Sequence, residues 1–167
     1  PQILYRNSST GQLRHARRSS GWQASAVATG DMRPGGLALD ATGYAHISYY
    51  DATNTALKTA KCLDVACATP ATLWVVDSGG ADDVGQRTSI AVGVDGLPVM
   101  SYYDFTNGDL KVAHCDGADC TGANTITVVA GQGGADVGEY NSLVIGIDGM
   151  DGSKEIMCSM YGDKFLQ

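Results

Sequence analysis

Carboxylates and amides standing beside tyrosines recur along this chain, a combination suited to ligands rich in hydroxyl groups. Asn7, Asp51 and Asp104 occupy matching positions, with Tyr50 and Tyr103 directly before the two aspartates. Asp82, Asp83, Asp136, Glu139, Tyr140 and Asn141 form a second polar group in two later segments. Carboxylates and amides hydrogen-bond hydroxyls, and aromatic rings stack on the apolar faces of sugars and polyols. The candidate ligand-binding set is therefore Asn7, Tyr50, Asp51, Asp83, Tyr103, Asp104, Asp136 and Tyr140. A carboxylate cluster could instead hold calcium through oxygen ligands. The segment 104–109 bears only a weak likeness to a calcium loop, lacking the spacing and terminal glutamate of an EF-hand. A third reading is structural, because Asp51 and Asp104 each precede a turn, where aspartate accepts from the following backbone amides.

Other catalytic chemistry finds little support in the residues. His15, His46 and His114 are the usual type for proton transfer, yet no nucleophile motif accompanies them. His46 and His114 fall at different repeat positions and are replaced there by Val99 and Lys61. They read as strand residues facing solvent or a neighbouring sheet. The glycines at 79–80 and 131–134 lack the strand–GxGxxG–helix context of a phosphate loop.

The elements that must position these residues come from a repeat. Segment 37–85 matches 90–138 without a gap at an offset of 53 residues, carrying Tyr49-Tyr50-Asp51 onto Tyr102-Tyr103-Asp104. A period of this length filled with short β-like segments marks a propeller-type array. Four strands are predicted per unit, at 36–40, 45–50, 56–61 and 72–77, then at 89–94, 98–103, 109–114 and 124–129. Residues 1–35 form a partial blade without its own first strand, and 142–167 begin a further one, with strands at 142–147 and 155–160. The predicted fold class is all-β, a propeller-like array of four-stranded antiparallel blades, two complete (36–88 and 89–141) and two partial. One of each tyrosine pair should face the core between blades. A ring needs typically four to eight blades. Other copies of the chain, or the remainder of a longer propeller, are thus the expected partners. The start at Pro1-Gln2-Ile3 reads as a processed product or fragment.

Composition narrows the setting. With 44% hydrophobic residues and 22 glycines, the 167-residue chain is globular and turn-rich. No apolar run approaches the roughly 18–20 residues of a membrane span. A formal charge of −7 argues against nucleic acid. Five arginines face a lone Asp31 within residues 1–35, so a basic segment adjoins an acidic body; this suits head-to-tail contact or, equally, a locally basic outer strand. Cys62 and Cys67, and likewise Cys115 and Cys120, sit between the third and fourth strands of their units. A disulfide stapling each loop is the simplest account and implies secretion or the cell surface. Zinc held by four thiolates is the alternative, without histidine partners in the loops. Cys158 stands outside this pattern, aligned with Ser101 as a small core residue.

The run from Ser101 to Cys115, SYYDFTNGDLKVAHC, resembles a family of secreted bacterial repeat proteins with tandem units of this kind. The resemblance covers most of residues 1–160 and implies a β-propeller and secretion, but supplies no catalytic residue. A looser similarity leads to sialidase-like propellers, although the Ser-x-Asp-x-Gly-x-x-Trp pattern is not clearly present. The expected function is a non-catalytic extracellular recognition or adhesion module with glycans as ligands. The alternatives are a self-assembling subunit of a ring or filament, and a fragment of a sialidase-like hydrolase.

Overall fold

The computed structural model describes residues 1–69, 71–131, 134, 136–147 and 154–161, with backbone alone at 147 and 154–161. Among them are thirteen strands and no helix. The first sheet holds β1 (Gln2–Asn7), β2 (Gln12–Arg18) and β3 (Trp22–Ala28). The second holds β4 (Met32–Leu39), β5 (Ala45–Asp51), β6 (Ala56–Lys61) and β7 (Thr72–Asp77). The third repeats this with β8 (Val84–Val92), β9 (Pro98–Asp104), β10 (Asp109–His114) and β11 (Thr125–Ala130), and the fourth pairs β12 (Tyr140–Ile147) with β13 (Lys154–Tyr161). Every neighbouring pair is antiparallel and consecutive in the chain, joined by short turns or, between β6 and β7 and between β10 and β11, by the longer cysteine loops.

The first strands of the sheets are longer than the sequence predicts. β4 begins at Met32 rather than 36, β8 at Val84 rather than 89, and β12 at Tyr140 rather than 142. Their early residues, among them Pro34, Gly35, Gly85 and Arg87, lack β alternation, and register shifts at Pro34/Leu37 and Gln86/Ser89 absorb the irregularity. Cys158 is also corrected. It pairs with Leu143 as Met100 pairs with Ile90, so Ser159 is the register equivalent of Ser101.

All seven residues of β5 and all seven of β9 are buried. Alternation gives each strand two faces, and each face is covered by a different sheet. Ala45, Ile47 and Tyr49 pack with Leu13, Val27 and Ala28 of the first sheet. Their equivalents Met100 and Tyr102 pack with Leu57 and Val76 of the second. On the other face of the third sheet, Val99 and Val112 meet Leu143 of the fourth. Tyr49 and Tyr102, one of each tyrosine pair, thus face the core between sheets, and Tyr50 and Tyr103 on the opposite face are buried as well. Close approach is secured by Gly85 and Gly138, at φ 94° and 92°. A Cβ on Gly85 would stand 2.5 Å from Leu57 Cα, and one on Gly138 would stand 2.7 Å from Leu110 Cβ.

Both predicted staples are disulfides, Cys62–Cys67 and Cys115–Cys120, each with Cα atoms 4.9 Å apart. The four sulfurs are thus bonded to one another and are not thiolates for zinc. This pair of disulfides fits an extracellular protein. No helix of the described residues is long and apolar enough to cross a membrane.

Candidate functional site

The turns after β1, β5 and β9 and the connections into β8 and β12 gather at one end of the sheets. Phe105 N donates to Asp83 O at 2.9 Å, Val84 N to Thr55 O at 3.1 Å and Val137 N to Gly108 O at 3.0 Å. The polar residues predicted as ligands do meet here, but largely by bonding to one another.

Asp51 and Asp104 are fully buried. Asp51 accepts from Thr53 N at 3.0 Å and Asn54 Nδ2 at 2.7 Å, and pairs with Lys58 Nζ at 2.5 Å. Asp104 accepts from Asn107 N at 3.0 Å and Asn107 Nδ2 at 3.1 Å, and pairs with Lys111 Nζ at 2.7 Å. Burial pushes both carboxyls up, but the lysine and asparagine bonds outweigh it and hold them below the ordinary carboxylate range. Backbone amide, asparagine and lysine together engage both oxygens of each carboxylate. In the first sheet the neutral Asn7 stands at this position, its Oδ1 accepting from Ser9 N at 3.0 Å and Thr10 N at 3.2 Å. The lysine is replaced by Arg14, which turns away to Gln12 Oε1 and Ala24 O. Aspartate and lysine are exchanged together, as a buried ion pair requires.

A second device ties each sheet to the connection that follows. Tyr50 donates to Asp83 Oδ1 at 2.7 Å and Tyr103 to Asp136 Oδ1 at 2.6 Å. Burial and the neighbouring carboxylate push both phenols up to about 12, so both remain donors at neutral pH. Arg6 pairs with Asp31 at 3.2 Å in the corresponding place after the first sheet. Asn107 Nδ2 also reaches Asp82 at 3.0 Å. Asn141 accepts from Ser101 Oγ and donates to Arg87 O and Gly138 O.

The histidines are dispersed. His15 and His46 are buried, with Nε2 atoms 2.6 Å from Gln2 Oε1 and 3.4 Å from Asp40 Oδ2. Burial lowers both pKa values and favours the neutral rings. His114 lies nearer the surface, 3.1 Å from Asp95. Among the described residues, no three His, Cys, Asp or Glu side chains converge as a metal site.

A concave polar site lies at this end. A cavity of about 170 Å³ is lined by Arg33 and Pro34 of β4, Tyr50 of β5, and Gln86, Arg87 and Thr88 of β8. The Arg33 guanidinium lies over the Tyr50 ring at 5.5 Å, and Arg87 over the Tyr140 ring at 5.0 Å. Gln86 Nε2 donates to Asp83 Oδ2 at 2.8 Å, and Arg87 meets Glu139 at 3.5 Å. Thr88 Oγ1 is buried without a hydrogen-bond partner among the described residues. Guanidinium, amide and carboxylate groups around an aromatic ring can bind hydroxyls and a carboxylate together. Of the candidate ligand set, Tyr50 lines this cavity, Asp83 holds Gln86 from behind, and Tyr140 supports Arg87. Asn7, Asp51, Tyr103, Asp104 and Asp136 are engaged in turns and latches.

Arg33, Gln86 and Arg87 were not evident from the recurring motif. Their signal was divergence: Arg33-Pro34-Gly35, Gln86-Arg87-Thr88 and Glu139-Tyr140-Asn141 occupy equivalent positions in otherwise similar units. A comparison with protein-family models finds no match to the chain, and no curated protein matches it either.

Proposed function

We propose that this chain is a non-catalytic extracellular recognition module, part of a propeller-like array, with glycans as its ligand class. The observation that carries the reading is the cavity bounded by Arg33, Tyr50, Gln86 and Arg87. At about 170 Å³ it is smaller than the roughly 300–1,000 Å³ of most small-molecule pockets, which suits a terminal sugar unit rather than a long chain. Its two arginines favour sugars bearing a carboxylate. The paired disulfides fit an extracellular setting.

Glycan-array screening followed by titration tests this. Arg87→Ala is expected to weaken binding of the best acidic glycan at least about tenfold, roughly 1.4 kcal/mol. Its melting temperature should stay within about 2 °C, because Arg87 is a surface residue. Silence across acidic and neutral glycans would sink the proposal.

Self-assembly is the second reading, favoured by apolar side chains on the outermost strands. Trp22 of β3, Leu73, Trp74 and Val75 of β7, and Ile126 and Val129 of β11 are all exposed. Sedimentation decides it: a sedimentation coefficient rising with concentration supports it, and a monomer throughout opposes it.

A further inference from the structure

The first and second junctions between sheets are built from equivalent residues with one exchange. In the second junction Tyr102 donates to Asp77 Oδ2 at 2.6 Å. Lys111 Nζ stands 4.0 Å from that oxygen while pairing with Asp104 at 2.7 Å. Tyr49, Lys58 and Asp51 repeat this set in the first junction. The counterpart of Asp77 there is Ala28: strand pairing sets Ala28 opposite Leu13 as it sets Asp77 opposite Leu57.

The exchange leaves room. Ala28, Tyr49 and Lys58 line a cavity of about 370 Å³, walled elsewhere by Met32, Leu73, Trp74 and Val75. That volume lies within the range of small-molecule sites. Lys111 serves two carboxylates, whereas Lys58 serves Asp51 on its own side with no acidic side chain at Ala28's place. Burial raises the Tyr49 phenol to about 12, which keeps its hydroxyl a donor. Trp74 supplies an aromatic wall where Thr127 stands in the third sheet.

We propose that this cavity binds a small amphiphilic carboxylate, whose acid group takes the place of the Asp77 side chain beside Tyr49 and Lys58 and whose apolar body lies against Trp74 and Met32. The second junction is the template, since the same donors hold an internal carboxylate there. The site is separate from the arginine-lined cavity, and its occupant does not depend on the glycan reading.

Calorimetric titration of the full chain with octanoate and indole-3-acetate tests the proposal, with octanol and indole-3-acetamide as uncharged counterparts. The acids are expected to bind saturably at one site, at least about tenfold more tightly than their counterparts. Ala28→Asp supplies the carboxylate from within and is expected to abolish acid binding in a protein whose circular dichroism is unchanged. Tyr49→Phe removes the hydroxyl alone and should weaken acid binding about tenfold, which decides the matter should Ala28→Asp fail to fold. Equal binding of acids and uncharged analogues, undiminished binding by either variant, or no saturable binding of either acid up to about 10 mM would each overturn the proposal.

Discussion

The first and second junctions share a tyrosine, a lysine and a buried aspartate, yet they end differently. In the second, Asp77 completes the polar set from within the chain; in the first, Ala28 leaves it beside a cavity. Residues that recur between units therefore build the sheets and their stacking. Residues exchanged between units line the two cavities. The arginine-lined cavity obeys the same rule, for Arg33, Pro34 and Gly35 give way to Gln86, Arg87 and Thr88 in the next sheet.

The largest effect is expected where the junctions agree most closely. Gly85→Ala would place a Cβ 2.5 Å from Leu57 Cα at φ 94°, with backbone on the other side of the clash. A loss of at least about 3 kcal/mol in urea unfolding is expected, combining overpacking with backbone strain. Gly138→Ala meets Leu110 Cβ at 2.7 Å and should cost somewhat less. A neutral result at either site would contradict the packing described.

Next comes the buried ion pair. Asp104→Asn should cost about 3 kcal/mol by leaving Lys111 without its close partner. Adding Lys111→Met should recover part of that loss, because the first sheet already works with Asn7 and no lysine. Acid sensitivity follows from the same pairs. The folded values of Asp51 and Asp104 lie below the unfolded value of about 3.9, so the unfolded chain takes up protons first as pH falls. Their stabilisation is full above about pH 5 and is lost as pH drops through the folded values. Asp104→Asn should flatten the pH dependence of the unfolding free energy in that window.

A finer comparison uses the tyrosines. Tyr102→Phe deletes a bond to a carboxylate and should cost about 1.5–3 kcal/mol. Tyr49→Phe faces Ala28 in its junction and should cost less than about 0.5 kcal/mol. Equal losses would erase the distinction between the junctions.

The hairpins were legible in the sequence because turn residues and the repeat coincide there. Predicted strands at 56–61, 72–77 and 109–114 match β6, β7 and β10 end for end. The early residues of β4 and β8 were not legible. Pro34, Gly35, Gly85 and Arg87 suggest a connection, and only packing against the adjoining sheet makes them strand. Alternation assigned one of Tyr49 and Tyr50 to the core between sheets, and Tyr49 is there; that Tyr50 is buried too follows from the sheet being covered on both faces. The aspartates were correctly placed before turns. Their ion pairs also follow from the hairpin, because Lys111 lies across from Tyr102 on the face that carries Asp104. The cavities were hidden because they depend on what faces a strand from the next sheet, which no local pattern encodes.

Thermal unfolding of Ala28→Asp and Asp77→Ala, measured side by side without ligand, tests the equivalence of the junctions most directly. The account predicts opposite signs: a higher melting temperature for Ala28→Asp, whose new carboxylate meets Tyr49 and Lys58, and a lower one for Asp77→Ala. A folded Ala28→Asp protein that melts several degrees below the parent chain, as an unpaired buried charge would cause, would contradict it.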